Sequence, residues 1–227
     1  MRSVCLFVFL FVLGAISVAA QIKPRPTPRP APIRPSLILA DRGRVIGRTY
    51  SNNTFRFEVT FPDTWLIPDD DFEAYMKKQG FDISLKAPDS LSPTAKAAIN
   101  QSIKRLQIVM TAYRSMPGTE DNAVVRIAFE SLAANPQIKD GVDYCDAIRS
   151  SYAKLKLPAD FKYSETQAEK LGSQQFAYLD GSTSAGSSRT YVTVRQGYAI
   201  VFAINYTSKA DLEVLRTALS EGNFDLK

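Results

Sequence analysis

Histidine is missing from all 227 residues. That absence removes the commonest general base and every Ser-His or Cys-His nucleophile pair. It also removes imidazole ligands for zinc. Cysteine is nearly as scarce, with two in the chain. Cys5 lies in an apolar N-terminal run, so once that run is cleaved Cys145 stands alone, with no intramolecular disulfide and no thiolate set for a structural zinc. A cysteine at the cleavage point, as a lipoprotein needs, is also lacking. Long apolar runs are absent after the first twenty residues, and no later segment has the length to span a bilayer. Acidic residues are absent before Leu37, where five of the 28 basic residues lie: Arg2, Lys23, Arg25, Arg29 and Arg34. The other 23 basic residues meet 23 acidic ones, so the net charge of +5 belongs to the N-terminal segments. A formally neutral domain has no large-scale field to gather nucleic acid, and none is expected as a partner.

What is there begins with an export pattern. Arg2 precedes the apolar core Val4–Leu13, and small residues end at Val18, Ala19 and Ala20. Residues 1–20 read as a secretory signal peptide cleaved before Gln21, which directs the chain to a periplasmic or extracellular location. Retention as an anchor is the alternative, although Val4–Ala20 falls short of the roughly 20 residues that a span requires. Residues 21–36, QIKPRPTPRPAPIRPS, hold six of the 13 prolines. Proline at alternate positions favours an extended, unbonded path, so this basic tether acts as a spacer. Its four cations also offer electrostatic contact with an anionic surface. Residues 37–227 form one domain, long enough to bury a substantial core.

Within that domain the patterning predicts alternating strands and helices. Arg44–Tyr50 and Phe55–Phe61 read as a hairpin turning at Ser51-Asn52-Asn53, the second arm alternating apolar and polar. Asp69–Lys78 reads as a helix, with Asp70 and Glu73 at capping-box spacing, and Ser92-Pro93 opens a second. Arg105–Tyr113 and Val124–Ser131 form a strand pair around Pro117-Gly118. Asp140 and Asp143 cap a helix to about Leu155 that carries Tyr144, Ile148, Tyr152 and Leu155 on one stripe. Strands follow near Phe161–Ser164, Gln174–Leu179 and Arg189–Arg195. Gln196-Gly197 then turns into Tyr198–Tyr206, and Ser208 with Asp211 caps a last helix burying Leu212, Leu215 and Leu219. Tyr198–Ile204 is apolar on both faces and so must be covered on both. The expected class is α+β, a three-layer α/β/α sandwich around a mostly antiparallel sheet.

Two segments carry a resemblance. Tyr50-x-Asn52-x-x-Phe55-x-Phe57-x-x-x-Phe61-Pro62-x-x-Trp65 resembles the opening strand and Phe-Pro-x-x-Trp turn of the PsbP-like family. Arg189–Phe224, with GYAIVFAINY at its centre, resembles that family's closing hairpin, capped helix and final Phe. The match covers about sixty residues at the two ends of the domain, and Lys86–Gln101 looks like an insertion. The resemblance implies an antiparallel sheet between helices. Family members assist photosystem assembly, bind a small GTPase or are exported bacterial proteins, and none supplies a catalytic motif to carry over. These are core-packing motifs, so they bear on fold rather than activity.

Several groups invite chemistry, and each has a plainer reading. Cys145 sits at the edge of the Tyr144 stripe, as a small core residue does. Asp69, Asp70, Asp71 and Glu73 suit a helix N-terminus and lack the spacing and glycine of a calcium loop. Gly181–Ser188 is neither a nucleophile elbow nor a phosphate loop, and reads as a flexible hairpin loop. Trp65, Tyr50 and Tyr113 read as core aromatics before groove residues. Asn52, Asn100 and Asn205 begin N-x-S/T triplets. No catalytic, cofactor-binding or metal-ligating set is assigned, and no cofactor is implied. The expected function is an exported non-catalytic interaction or assembly module for a protein or envelope component. The alternative is a cell-envelope enzyme using Asp, Glu, Lys or Tyr in a deep, ionisable pocket.

Overall fold

The doubly apolar stretch lies where two faces are covered. A computed structural model describes residues 40–69, 71–87, 91–119, 122–155 and 157–226. The expected signal peptide and tether lie outside the described residues. In chain order the elements are β1 (Arg44–Ile46), β2 (Thr49–Asn52), β3 (Phe57–Thr60), α1 (Phe72–Lys78), α2 (Pro93–Ile103), β4 (Leu106–Tyr113), β5 (Val124–Ser131), α3 (Gly141–Tyr152), β6 (Lys162–Tyr163), β7 (Gln167–Leu171), β8 (Gln174–Thr183), β9 (Gly186–Arg195), β10 (Tyr198–Tyr206) and α4 (Lys209–Glu221).

The main sheet runs β4-β5-β10-β9-β8-β6, with β7 also paired to β8. Its pairings among the described residues are antiparallel. β10 lies between β5 and β9, which is the interior position its composition demanded. Ala199 and Val201 face α3 with Tyr144, Ile148 and Val192, while Ile200, Phe202 and Ile204 face α4 with Leu215 and Leu219. Gln196 and Gly197, at φ 50° and 77°, form the tight β9–β10 turn in the left-handed region that twisted hairpins favour.

The α4 side differs from a plain helical layer. Arg44–Tyr50 is not one strand: it folds at Gly47, where φ is 60°, into β1 and β2. β2 then pairs with β3, making a separate three-stranded sheet in the order β1-β2-β3. The chain turns through Asn53–Arg56, so Phe55 joins the core from a turn rather than from a strand. This small sheet shares the α4 face. Phe57 stacks on Phe224 at 5.6 Å and meets Phe129 and Phe202 edge-on. Such edge contacts add about 0.5–1.5 kcal/mol each beyond burial. The three layers are therefore α3 with the α1–α2 segment, the main sheet, and α4 with the small sheet.

The helix starts follow the capping signals in part. Asp140 accepts from the Val142 and Asp143 amides, and Asp143 reaches back to the Lys139 amide. Ser92 accepts from Ala95 N–H, and Ser208 from Ala210 N–H. Asp211 does not complete a box; it pairs with Arg114 at 3.2 Å across to β4's end. Asp70 lies outside the described residues, and α1 begins at Phe72 with no side-chain cap from Asp71. No helix among the described residues is long and apolar enough to cross a membrane.

Candidate functional site

The densest set of ionisable groups lies on the α4 face at the β7–β8–β9 end of the sheet. β8 and β9 join through a two-residue turn, Ser184-Ala185, which makes Asp180 and Arg189 register partners. Gly181–Ser188 is thus mostly paired strand, in place of the expected flexible loop. Asp160 holds the turn by accepting from the Ser184 amide and hydroxyl at 3.0 and 2.7 Å. Those two bonds also keep the Asp160 carboxyl below its ordinary value.

Register then sets the chemistry. Arg189 grips Asp180 with both arms of its fork, Nε to Oδ1 at 2.6 Å and Nη2 to Oδ2 at 2.7 Å. Its guanidinium lies 4.2 Å from the Tyr178 ring centre, two residues along β8 on the same face. Nη1 donates to the Tyr191 hydroxyl at 3.2 Å, and that hydroxyl donates to Glu169 on β7 at 2.7 Å. Glu169 also accepts from Arg216 on α4, which binds Glu213 through Nη1 at 2.9 and 3.1 Å. The chain of contacts therefore ties helix to sheet.

Each proton in this network is held where it stands. Burial pulls Arg189 down, but its bonds to Asp180 and Tyr191 more than reverse that and keep it charged. Burial lifts the Tyr191 hydroxyl above its ordinary value, so it remains a donor. Bonds to Glu213 and Glu169 hold Arg216 charged. A general base needs a free acceptor near its working pH, and here the carboxylates already accept from arginine and tyrosine. Across the sheet, on its α3 face, a cavity of about 10 Å³ lies between Tyr152 and Thr190 of β9, room for about one water.

On the opposite face, β5 buries Glu130. Its Oε2 accepts from the Tyr144 hydroxyl at 2.6 Å, and its Oε1 lies 3.2 Å from Arg105 Nε. Burial raises this carboxyl above its ordinary value, against the lowering effects of Tyr144 and Arg105.

A third feature is apolar and exposed. Tyr75 on α1 is 52% exposed, Phe81 after it 37%, and Met116 in the β4–β5 turn 47%. Phe81 packs against Gly118 of that turn, and Phe72 bridges Tyr75 to Tyr113, with ring centres 6.4 and 5.9 Å apart. The exposed apolar side chains thus lie on α1, just after it, and in the turn that Phe81 touches.

Cys145 is fully buried, and burial pushes its thiol up to about 12. Trp65, Tyr50 and Tyr113 are core residues. Asp69, Asp71 and Glu73 gather no metal-like cluster among the described residues. Asn52 is buried: it donates to the Asp41 carbonyl and accepts from the Phe55 amide, so it shapes the turn and offers no glycan acceptor. Asn100 accepts from the Ala87 amide. Asn205 lies in β10. Sequence reasoning missed Asp180, Arg189, Glu169, Arg216, Glu130 and Arg105. The first two stand equidistant from Ser184-Ala185, a signal that a tight hairpin there would have exposed.

Comparison with known proteins adds a resemblance of shape. No family model and no curated protein matches the chain. Among solved structures it is similar to cyanobacterial PsbP (CyanoP) from Synechocystis sp. PCC 6803, seen in solution, at 13% identity and a TM-score of 0.39, over 82% of this chain and 97% of that one.

Proposed function

We propose that this chain is an exported, non-catalytic binding module that docks a partner protein on the surface built by α1 and the β4–β5 turn. Three apolar side chains, Tyr75, Phe81 and Met116, are exposed together on that surface, and this carries the reading. Isolated exposed apolar residues are ordinary, whereas clustered aromatics and methionine are typical of the buried centre of protein interfaces. Phe72, half-buried and stacked on Tyr75, gives the surface a firm base. The export part rests on the N-terminal pattern of residues 1–20.

The enzyme alternative asks for ionisable groups aimed into an open pocket. The richest ionisable cluster is instead bonded to itself, and Cys145 is sealed in the core. Both facts favour binding over turnover.

The test is affinity capture from the envelope fraction of the source cell, using the wild-type chain and Tyr75→Ser/Met116→Ser. A partner recovered by the wild type and lost by the variant, at unchanged thermal midpoint, supports the reading. Equal recovery by both, or recovery by neither, overturns it.

A further inference from the structure

β5 sends Val124, Arg126, Ala128 and Glu130 to the same face of the sheet, and the two charges fare differently. Glu130 has Tyr144 and Arg105. Arg126 is 7% exposed, and among the described residues its guanidinium has neither a hydrogen bond nor an ion pair. A cation buried this deeply without a direct ion pair is rare, because taking the charge out of water is costly.

Its surroundings are built from donors. The register places Thr111 of β4 directly opposite Arg126 and puts Tyr113 diagonally beside it on the same face. The Thr111 and Tyr113 hydroxyls, like the guanidinium, make no hydrogen bond to a described residue. On β10 the register partner is Ala203, too small to fill the space with a polar group. Above lie Met76 of α1 and Ile83, packed on Tyr113 and Val124. Two ionisable groups act on Arg126, the Tyr113 hydroxyl and the exposed Glu73 carboxylate on α1. Among the described residues Glu73 has no ion pair. Burial pulls the guanidinium below its ordinary value, and those two groups oppose the pull.

We propose that Arg126, with the hydroxyls of Thr111 and Tyr113, forms a binding site beneath α1 for a small oxyanion, either free phosphate or the carboxylate or phosphate group of a larger ligand. A planar guanidinium fork matches two oxygens of such a group, and two neutral hydroxyls complete the donor set without adding charge. Filling the site supplies a direct counter-charge, where the fold offers only the more exposed Glu73 carboxylate on α1. Entry requires α1, a seven-residue helix, to lift from Tyr113. Its donor side chains are distinct from the docking side chains, since Tyr75 is exposed on the same helix.

The experiment is anion titration of the full chain, read by thermal midpoint and by calorimetric heat. Inorganic phosphate and acetate are each compared with sodium chloride at matched ionic strength. The expected result is saturable binding of one of the two with a rise in thermal midpoint over chloride. Arg126→Met should weaken that binding at least tenfold, and Arg126→Lys less so. Should Arg126→Met fail to fold, Thr111→Val and Tyr113→Phe serve in its place, each weakening binding severalfold. Glu73→Gln should tighten binding about two- to fivefold by removing a competing carboxylate. Met116→Ser, in the β4–β5 turn, should leave it unchanged, which separates this site from the docking surface. The proposal is overturned if neither anion exceeds chloride, or if Arg126→Met, Thr111→Val and Tyr113→Phe all bind like the wild type.

Discussion

Tyr144 on α3 donates its hydroxyl to Glu130 on β5 across 2.6 Å, so helix and sheet meet through a carboxylate that is only 3% exposed. Arg105 Nε lies 3.2 Å from the other oxygen but is poorly aligned for a hydrogen bond. Tyrosine is therefore the well-formed bond. Tyr144→Phe keeps the ring in the core and removes the donor, leaving the buried carboxylate with only its charged neighbour Arg105. We expect a loss of roughly 1–3 kcal/mol in urea unfolding. A loss under 0.5 kcal/mol would mean the bond contributes little against solvent.

The same carboxylate predicts a pH dependence. Its folded value is raised above the ordinary 4.5 by burial. Between 4.5 and that raised value the native state holds more protons than the unfolded chain, so unfolding free energy falls as pH rises. The contribution from Glu130 is full below 4.5 and is lost as pH climbs through the folded value. Glu130→Gln should remove that part of the slope, making the variant's stability flatter from pH 4.5 to 7.5 than the wild type's. Parallel curves in chemical denaturation would refute this.

Arg189 offers a test of the α4-side network. Lysine can keep the charge but cannot hold Asp180 with two arms, touch Tyr191 and lie over Tyr178 at once. Arg189→Lys should cost about 1–3 kcal/mol despite its conservative chemistry. It should also couple with Glu169→Gln in a double-mutant cycle, since Tyr191 links the two. Additive losses would show that the two ends of the chain act separately.

These relationships explain how far the sequence could be read. The stretch Tyr198–Tyr206 announced an interior strand because both of its faces are apolar, and sheet order agrees. β7 went unread because Gln167–Lys170 is largely exposed, so no burial pattern marks it. The hairpin at Gly47 went unread because β1 is exposed throughout and its alternation carries no information. Glu130 and Arg126 were hidden inside VVRIAFES, where a charge at alternate positions ordinarily signals a wet face. The Arg189 network draws on β7, β8, β9 and α4, and its contacts span up to 47 residues between Glu169 and Arg216. Only pairing register brings such groups together.

Cys145 predicts chemical silence. Burial first, then Asp146 and Asp140, push its thiol up to about 12. At pH 8 that leaves about one thiolate in ten thousand. In a Cys5→Ser background, native labelling by a disulfide reagent should run at least a thousandfold slower than for a free thiol and accelerate in urea along the unfolding curve. Rapid labelling of the native chain would place the thiol at the surface and contradict the α3 packing.

Two glycines separate close approach from turn geometry. At Gly141, the first residue of α3, an added Cβ would lie 2.5 Å from the Val192 carbonyl oxygen of β9, which is backbone and cannot swing aside. Gly141→Ala therefore has to push the helix off the sheet, and its Tyr144 and Ile148 contacts go with it; overpacking of this kind costs about 1–3 kcal/mol, occasionally more. At Gly197 an added Cβ meets nothing within 4 Å, and the difficulty is only the positive φ of 77°. Gly197→Ala should cost about 1 kcal/mol through backbone strain alone. The two are told apart by near-ultraviolet circular dichroism and hydrogen exchange, since Gly141→Ala should perturb Tyr144 and loosen α3 whereas Gly197→Ala should leave both unchanged. Equal effects on α3 would mean that the helix does not rest on β9 as closely as the 2.5 Å approach requires.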